Sequence, residues 1–153
     1  MDDGVALMRL SGWALAQGMW QVAGGEPLAT FAAWDTESGR GGARVDADSI
    51  PASVEAARRN LAAIEGLRRW VIVAEGVARA DGGARYGAIR AEFGATDAAL
   101  VGHATWLFQR VEGRFDLVHG PVLVVAGVDP ATLAVLRLAL LDAMHAVRAA
   151  DAT

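Results

Sequence analysis

The sequence predicts an α+β fold built on an antiparallel sheet of about five to six strands, and three features carry that expectation. A proline-free stretch with helical periodicity opens the chain. Turn signatures at Asp81-Gly82-Gly83 and Glu112-Gly113 each lie between β-patterned runs. Asp129-Pro130, a capping residue followed by proline, then introduces a long apolar helix. Together they give the order α-β-(β)-α-β-β-β-β-α, with residues 1–153 read as a single domain.

The first helix, from about Asp3 to Val22, starts with carboxylates that complement a helix N-terminus and stops before Gly24-Gly25. Met8, Leu15, Met19 and Val22 form one apolar stripe, while Trp13 and Trp20 project away from it beside Arg9. Such a helix needs two partners. Leu28 to Trp34 reads as a strand, Thr36 to Gly42 as a glycine-rich loop, and Ala43 to Ala47 as an optional returning strand. Asp48 or Ser49 caps the second helix, with Pro51 in its first turn and Val54, Ala57, Leu61 and Ile64 on one face. On its other side Glu55 with Arg59, and Glu65 with Arg69, sit four residues apart with the acid first, the favourable orientation for helix ion pairs.

Trp70 to Arg79 and Arg85 to Phe93 flank Ala80-Asp81-Gly82-Gly83-Ala84 as a hairpin. A two-residue turn at Asp81-Gly82 or Gly82-Gly83 predicts a core face of Trp70, Ile72, Ala74, Ile89 and Phe93. The opposite face then holds Val73, Glu75, Arg79, Tyr86, Arg90 and Glu92. Gly94 to Gly102 reads as a loop or a short helical turn. His103 to Val111 and Arg114 to Ala126 form a second hairpin around Glu112-Gly113, with Trp106, Phe108, Phe115, Leu117 and His119 on one side and Gly120-Pro121 as an interruption. The last helix runs to about Ala150. Leu133, Leu136, Leu140, Met144 and Val147 make one stripe, Val135, Leu138 and Leu141 lie near the opposite side, and the only charges are Arg137, Asp142 and Arg148. A helix apolar nearly all round is buried or self-associated.

Composition narrows the function classes. Of 153 residues 54% are hydrophobic and 21% charged, the net charge is -4, all fourteen basic residues are arginine, and there is no cysteine. Cysteine-based metal and redox chemistry is therefore excluded. The alanine, glycine and arginine bias reflects a GC-rich, bacterial type of genome. Scattered arginines on an acidic chain give no electrostatic footprint for nucleic acid. No apolar run is expected to approach the roughly 20 residues of a membrane span, and Met1-Asp2-Asp3 opens acidic, so a cytoplasmic protein without a membrane partner is expected.

The element order resembles the profilin-like group of folds over the whole chain. That resemblance implies both terminal helices together on one sheet face and the middle helix on the other. It rests on order; sequence motifs of profilins, longins or roadblock proteins are absent, so their partners are not implied. Type III secretion chaperones are similar in placing terminal helices around a sheet in small acidic dimers.

Two functional expectations follow. The leading one is a non-enzymatic interaction or regulatory domain, forming a homodimer or holding a protein partner through Trp13, Trp20, Val135, Leu138 and Leu141. If the first and last helices lie side by side, the same apolar surface is instead consumed internally. The alternative is a sensing or catalytic domain for an anionic small molecule. Glu75, Arg79, Tyr86 and Arg90 would then share a sheet face, with Arg40 and Arg44 on a glycine-rich lid, because a guanidinium fork and a phenol suit a carboxylate or phosphate. The same residues also suit a ladder of cross-strand ion pairs. His103, His119 and His145 show no ligand spacing, so no metal is expected. No serine sits in a nucleophile-elbow setting, and neither a catalytic residue nor a cofactor is expected.

Overall fold

A computed structural model describes residues 2–79, 82, 83, 85–97 and 99–151. The elements are α1 (Asp2–Ala23), β1 (Phe31–Thr36), β2 (Gly39–Arg44), α2 (Ile50–Ala62), β3 (Leu67–Arg79), β4 (Arg85–Ala95), β5 (Leu100–Val111), β6 (Arg114–Val125) and α3 (Pro130–Asp151). The six strands form one antiparallel sheet in the order β2-β1-β3-β4-β5-β6. The α+β class and the expected element order hold; the optional second strand is present, but at Gly39–Arg44 rather than over residues 43–47.

Two cores lie on the two sheet faces. On one, the stripe Met8, Leu15, Met19 and Val22 of α1 buries against Val71, Val73, Ile89, Ala91 and Phe93. Leu136, Leu140, Met144 and Val147 of α3 join the same core. On the other, Ala57 and Leu61 of α2 cover Ala32, Val45 and Ile72. The terminal helices thus share one face and α2 takes the other, the layering the element order implied.

Local chemistry fixes the helix starts. Ser49 Oγ accepts the Ala52 N–H, with Pro51 in the first turn of α2. Asp129 Oδ1 accepts the Thr132 N–H at 2.7 Å, a bond that lowers the carboxyl pKa. Contacts between α1 and α3 advance together, Gly4 against Leu136 and then Gly12 against Leu140 and Ala143, so the two helices run in the same direction. A Cβ at Gly12 would stand 2.5 Å from the Leu140 carbonyl oxygen. Glycine is what allows the two backbones to meet.

Several expectations change. The stretch Thr36 to Gly42 is not a loop: residues 39–44 form β2, because its glycines make room for an aromatic neighbour. Trp34 lies over its ladder partner Gly41, and the pattern recurs where Trp70 covers Gly94 and Phe108 covers Gly87. A Cβ at any of the three would come within 3.0 Å of the ring. Cross-strand aromatics thus supply the packing that glycine lacks in a strand. Gly94 to Gly102 is not a loop either, since β4 continues to Ala95 and β5 starts at Leu100.

The first hairpin differs in parity. Its ladder ends at Arg79 opposite Arg85, so residues 80–84 intervene, an odd number rather than the even one a two-residue turn would leave. Asp81 itself lies outside the described residues. One residue more or less in the connector transfers a whole strand's side chains to the other face. Ile89 and Phe93 consequently join the α1/α3 core while Ile72 joins the α2 core, so the predicted single core face does not exist. The second hairpin does turn at Glu112 and Gly113, both at positive φ, and Trp106, Phe108 and Phe115 share one side. The His119 side chain lies outside the described residues.

The expected helix ion pairs give way to longer-range ones. Arg58 binds Glu92 on β4 through two nitrogens, at 2.9 and 3.0 Å, as well as Glu55, and these carboxylates raise its pKa. The second helix ends at Ala62, so Glu65 and Arg69 do not share it; Arg69 lies on β3 and reaches Asp35 and Asp3.

Candidate functional site

The outer surface of α1 and α3 forms a groove of about 740 Å³. Its walls include three of the five predicted interface residues, Trp13, Val135 and Leu138. Leu138 is 64% exposed and Val135 42%, both mid-helix, where the inward stripe of α3 is already satisfied by α1. Trp13 is half-buried, and the Arg40 guanidinium sits 5.7 Å from its ring centroid, a cation–π contact that closes one flank. Arg9 on α1 and Asp142 on α3 also line the groove, and among the described residues neither makes an ion pair.

By length and composition Pro130–Val147 of α3 is apolar enough to cross a membrane, with mean hydropathy 1.4, which revises the expectation that no run comes near that limit. Only 22% of the window is buried. A core helix passes the same test, and four inward residues pack α3 onto α1; Val135, Leu138, Ala139 and Asp142 are among the residues it leaves to the groove wall.

The other two predicted interface residues lie elsewhere. Trp20 and Leu141 line a second cavity, of about 450 Å³, where α3 stands off β5 and β6 and Trp106, Phe115, Met144 and His145 are also in the wall. The interface set thus divides between two sides of the helix pair. Periodicity placed Leu141 with Leu138, but three residues leave an offset of about 60° around the helix, and that offset carries Leu141 into the wall of the sheet-side cavity.

The alternative polar site does not assemble. Glu75 and Arg79 share the α1/α3 face of β3, whereas Tyr86 and Arg90 lie on the α2 face of β4, a direct result of the odd connector. Glu75 accepts the Leu28 backbone N–H at 3.3 Å. Arg90 stands beside Glu92, whose carboxylate is taken by Arg58. Arg40 binds Asp35 and covers Trp13, and Arg44 is exposed at the end of β2, so neither forms a lid over the other four.

Among the described residues no group of three or more metal-ligating side chains gathers. His103 lies on β5 opposite Glu92; burial first, and then the nearby Arg90 charge, lower its pKa against the opposing pull of Glu92, and its Nδ1 is buried without a partner. Sequence reasoning passed over Arg110 and Arg137, which stand beside the second cavity. Only the Gly120-Pro121 interruption signalled that the sheet gives way there.

No family model matches the chain, and no curated protein or solved structure matches it.

Proposed function

We propose that this chain is a cytoplasmic interaction domain that pairs with a second copy of itself through the outer α1/α3 groove. The observation that carries the reading is the groove itself: exposed Leu138 and Val135 beside Trp13, with one unpaired cation on α1 and one unpaired anion on α3. A twofold interface has to be self-complementary. With α1 of one copy laid against α3 of the other, Arg9 meets Asp142 twice while the apolar centre closes. Strictly monomeric proteins seldom leave an apolar stripe of this kind uncovered. The apolar faces are the working surface, and the reading assigns no residue a catalytic role.

Absolute mass by light scattering on a sizing column, from micromolar to near-millimolar protein, tests the proposal. It expects twice 15.9 kDa at the upper concentrations. A chain that stays at 15.9 kDa throughout refutes self-pairing. Anionic vesicles that carry the protein with them on flotation, without any dimer in solution, would assign the groove to a membrane surface instead.

A further inference from the structure

We propose that strand β2, at the open edge of the sheet, takes an extended segment of a different protein as an additional strand, with an aromatic residue opposite Gly42 and an acidic residue opposite Arg44. The strand order leaves β2 with β1 on one side and no strand on the other. The Val45 N–H donates to the Thr30 carbonyl oxygen at 2.8 Å, and the register continues through Ala43 with Ala32, Gly41 with Trp34 and Gly39 with Thr36. Bonded and non-bonded pairs alternate along an antiparallel ladder, so Arg40, Gly42 and Arg44 turn their N–H and C=O groups away from β1. Among the described residues nothing pairs with those groups. They offer a template for main-chain pairing, the strand-addition mode of peptide recognition.

The side chains of Arg40 and Arg44 share the α1 face of the sheet, as the contact of Arg40 with Trp13 shows. Between this edge and α1 runs a groove of about 630 Å³, separate from the self-pairing groove although Trp13 and Gln17 border both. Trp13, Trp20 and Phe31 are its large apolar side chains, with Ala33 and Gly42 on the sheet side. Gly42 selects the central residue of the added strand. Elsewhere in the sheet, Gly41, Gly94 and Gly87 are each covered by a ring from the neighbouring strand. Gly42 is not, because its β1 partner is Ala33, and a Cβ there would meet only the Ala32 carbonyl oxygen, at 3.3 Å. A ring on the added strand opposite Gly42 repeats the device and enters the groove.

Charge selects the flanking residue and rejects a second copy. Arg40 is engaged by Asp35 and the Trp13 ring, whereas Arg44 makes no ion pair among the described residues. Glu26, which with Gln17 and Gln21 adds further polar groups to the groove, lies beyond ion-pair distance of it. An acid directly across from Arg44 gains a cross-strand pair. Two β2 strands joined antiparallel about Gly42 would set Arg40 of one copy opposite Arg44 of the other, twice, and like charges in that position repel.

The probe is a capped peptide, Gly-Glu-Thr-Phe-Thr-Ser-Gly, whose phenylalanine faces Gly42 and whose glutamate faces Arg44 when it runs antiparallel to β2. Calorimetry and the fluorescence of Trp13 and Trp20 follow its binding to the whole chain, and saturable one-to-one binding is expected. Lysine in place of the glutamate should weaken it roughly fivefold, and alanine in place of the phenylalanine roughly tenfold. A peptide N-methylated at the phenylalanine cannot donate to the Gly42 carbonyl and should not bind. Gly42→Pro removes an outward N–H at an edge position, where proline is tolerated, so the chain should keep its circular dichroism and lose the peptide. Leu138→Gln, in the self-pairing groove, should leave peptide affinity unchanged, which separates failure of this surface from failure of self-pairing. The absence of saturable binding by the parent peptide overturns the proposal. So does equal affinity for any of the altered peptides, and so does retained binding in Gly42→Pro. Should that variant fail to fold, the N-methylated peptide decides the matter on the unaltered chain.

Discussion

Replacing Leu138 with glutamine tests the self-pairing surface with a magnitude the structure supplies. Glutamine keeps helix propensity close to that of leucine and adds no charge next to Asp142, one turn further along α3. Burying a whole leucine side chain is worth roughly 1.5–3 kcal/mol relative to exposure. Leu138 is 64% exposed in the single chain, so closing the groove over it contributes about 1–2 kcal/mol per copy. Twofold symmetry counts that contribution twice, about 2–4 kcal/mol per dimer, or roughly 30- to 1000-fold in the dissociation constant at 1.4 kcal/mol per decade. Sedimentation equilibrium of both proteins over the same concentrations measures the change. The melting temperature of dilute monomer should stay where it was, because the substituted side chain stands outside the core. A dimer whose dissociation constant moves less than tenfold would place the interface elsewhere. A large fall in monomer melting temperature would contradict the exposure of Leu138.

Three further outcomes are expected. Reversing Arg9 to Asp or Asp142 to Arg should each weaken pairing by about 0.2–1 kcal/mol per contact, and the double reversal should restore it, a cycle read by the same sedimentation experiment; additive losses would deny the contact. Gly12→Ala, which in an exposed helix would stabilise by up to about 1 kcal/mol, should here lower the melting temperature, since overpacking against the Leu140 carbonyl costs about 1–3 kcal/mol; a rise would mean that the helices do not meet at Gly12. His103, with its pKa lowered in the folded chain, favours folding when neutral, so stability should fall as pH drops through the ordinary histidine range near 6.5 and level off below the folded value. His103→Leu should remove that slope from a denaturant series run between neutral and mildly acidic pH; an unchanged slope would assign it to other groups.

Much of the frame was legible because its signals are local. The α1 stripe, the Ser49 and Asp129 caps and the turn at Glu112-Gly113 each depend on residues within about one turn of one another, where capping bonds and positive φ act directly. The strand at residues 39–44 was illegible for the opposite reason. Its glycines look like a loop until Trp34 is laid over Gly41, a contact that exists only after pairing. The main partner of Arg58, Glu92, is 34 residues away across the sheet, where no pattern within the helix could point to it. Of the candidate interface, Trp13, Val135 and Leu138 came together, while Trp20 and Leu141 went to a cavity whose very existence depends on how far α3 stands from β5 and β6.

By itself, then, the sequence determined the class, the element order, the helix starts and the excess of apolar surface on the two terminal helices. Tertiary structure alone decided which face each polar residue of the first hairpin occupies, and it separated Glu75 and Arg79 from Tyr86 and Arg90. The physical reason is the two-residue side-chain period of a strand: periodicity fixes that alternation locally, but the parity of one connector decides which set meets which layer. No pattern within a single element carries that information.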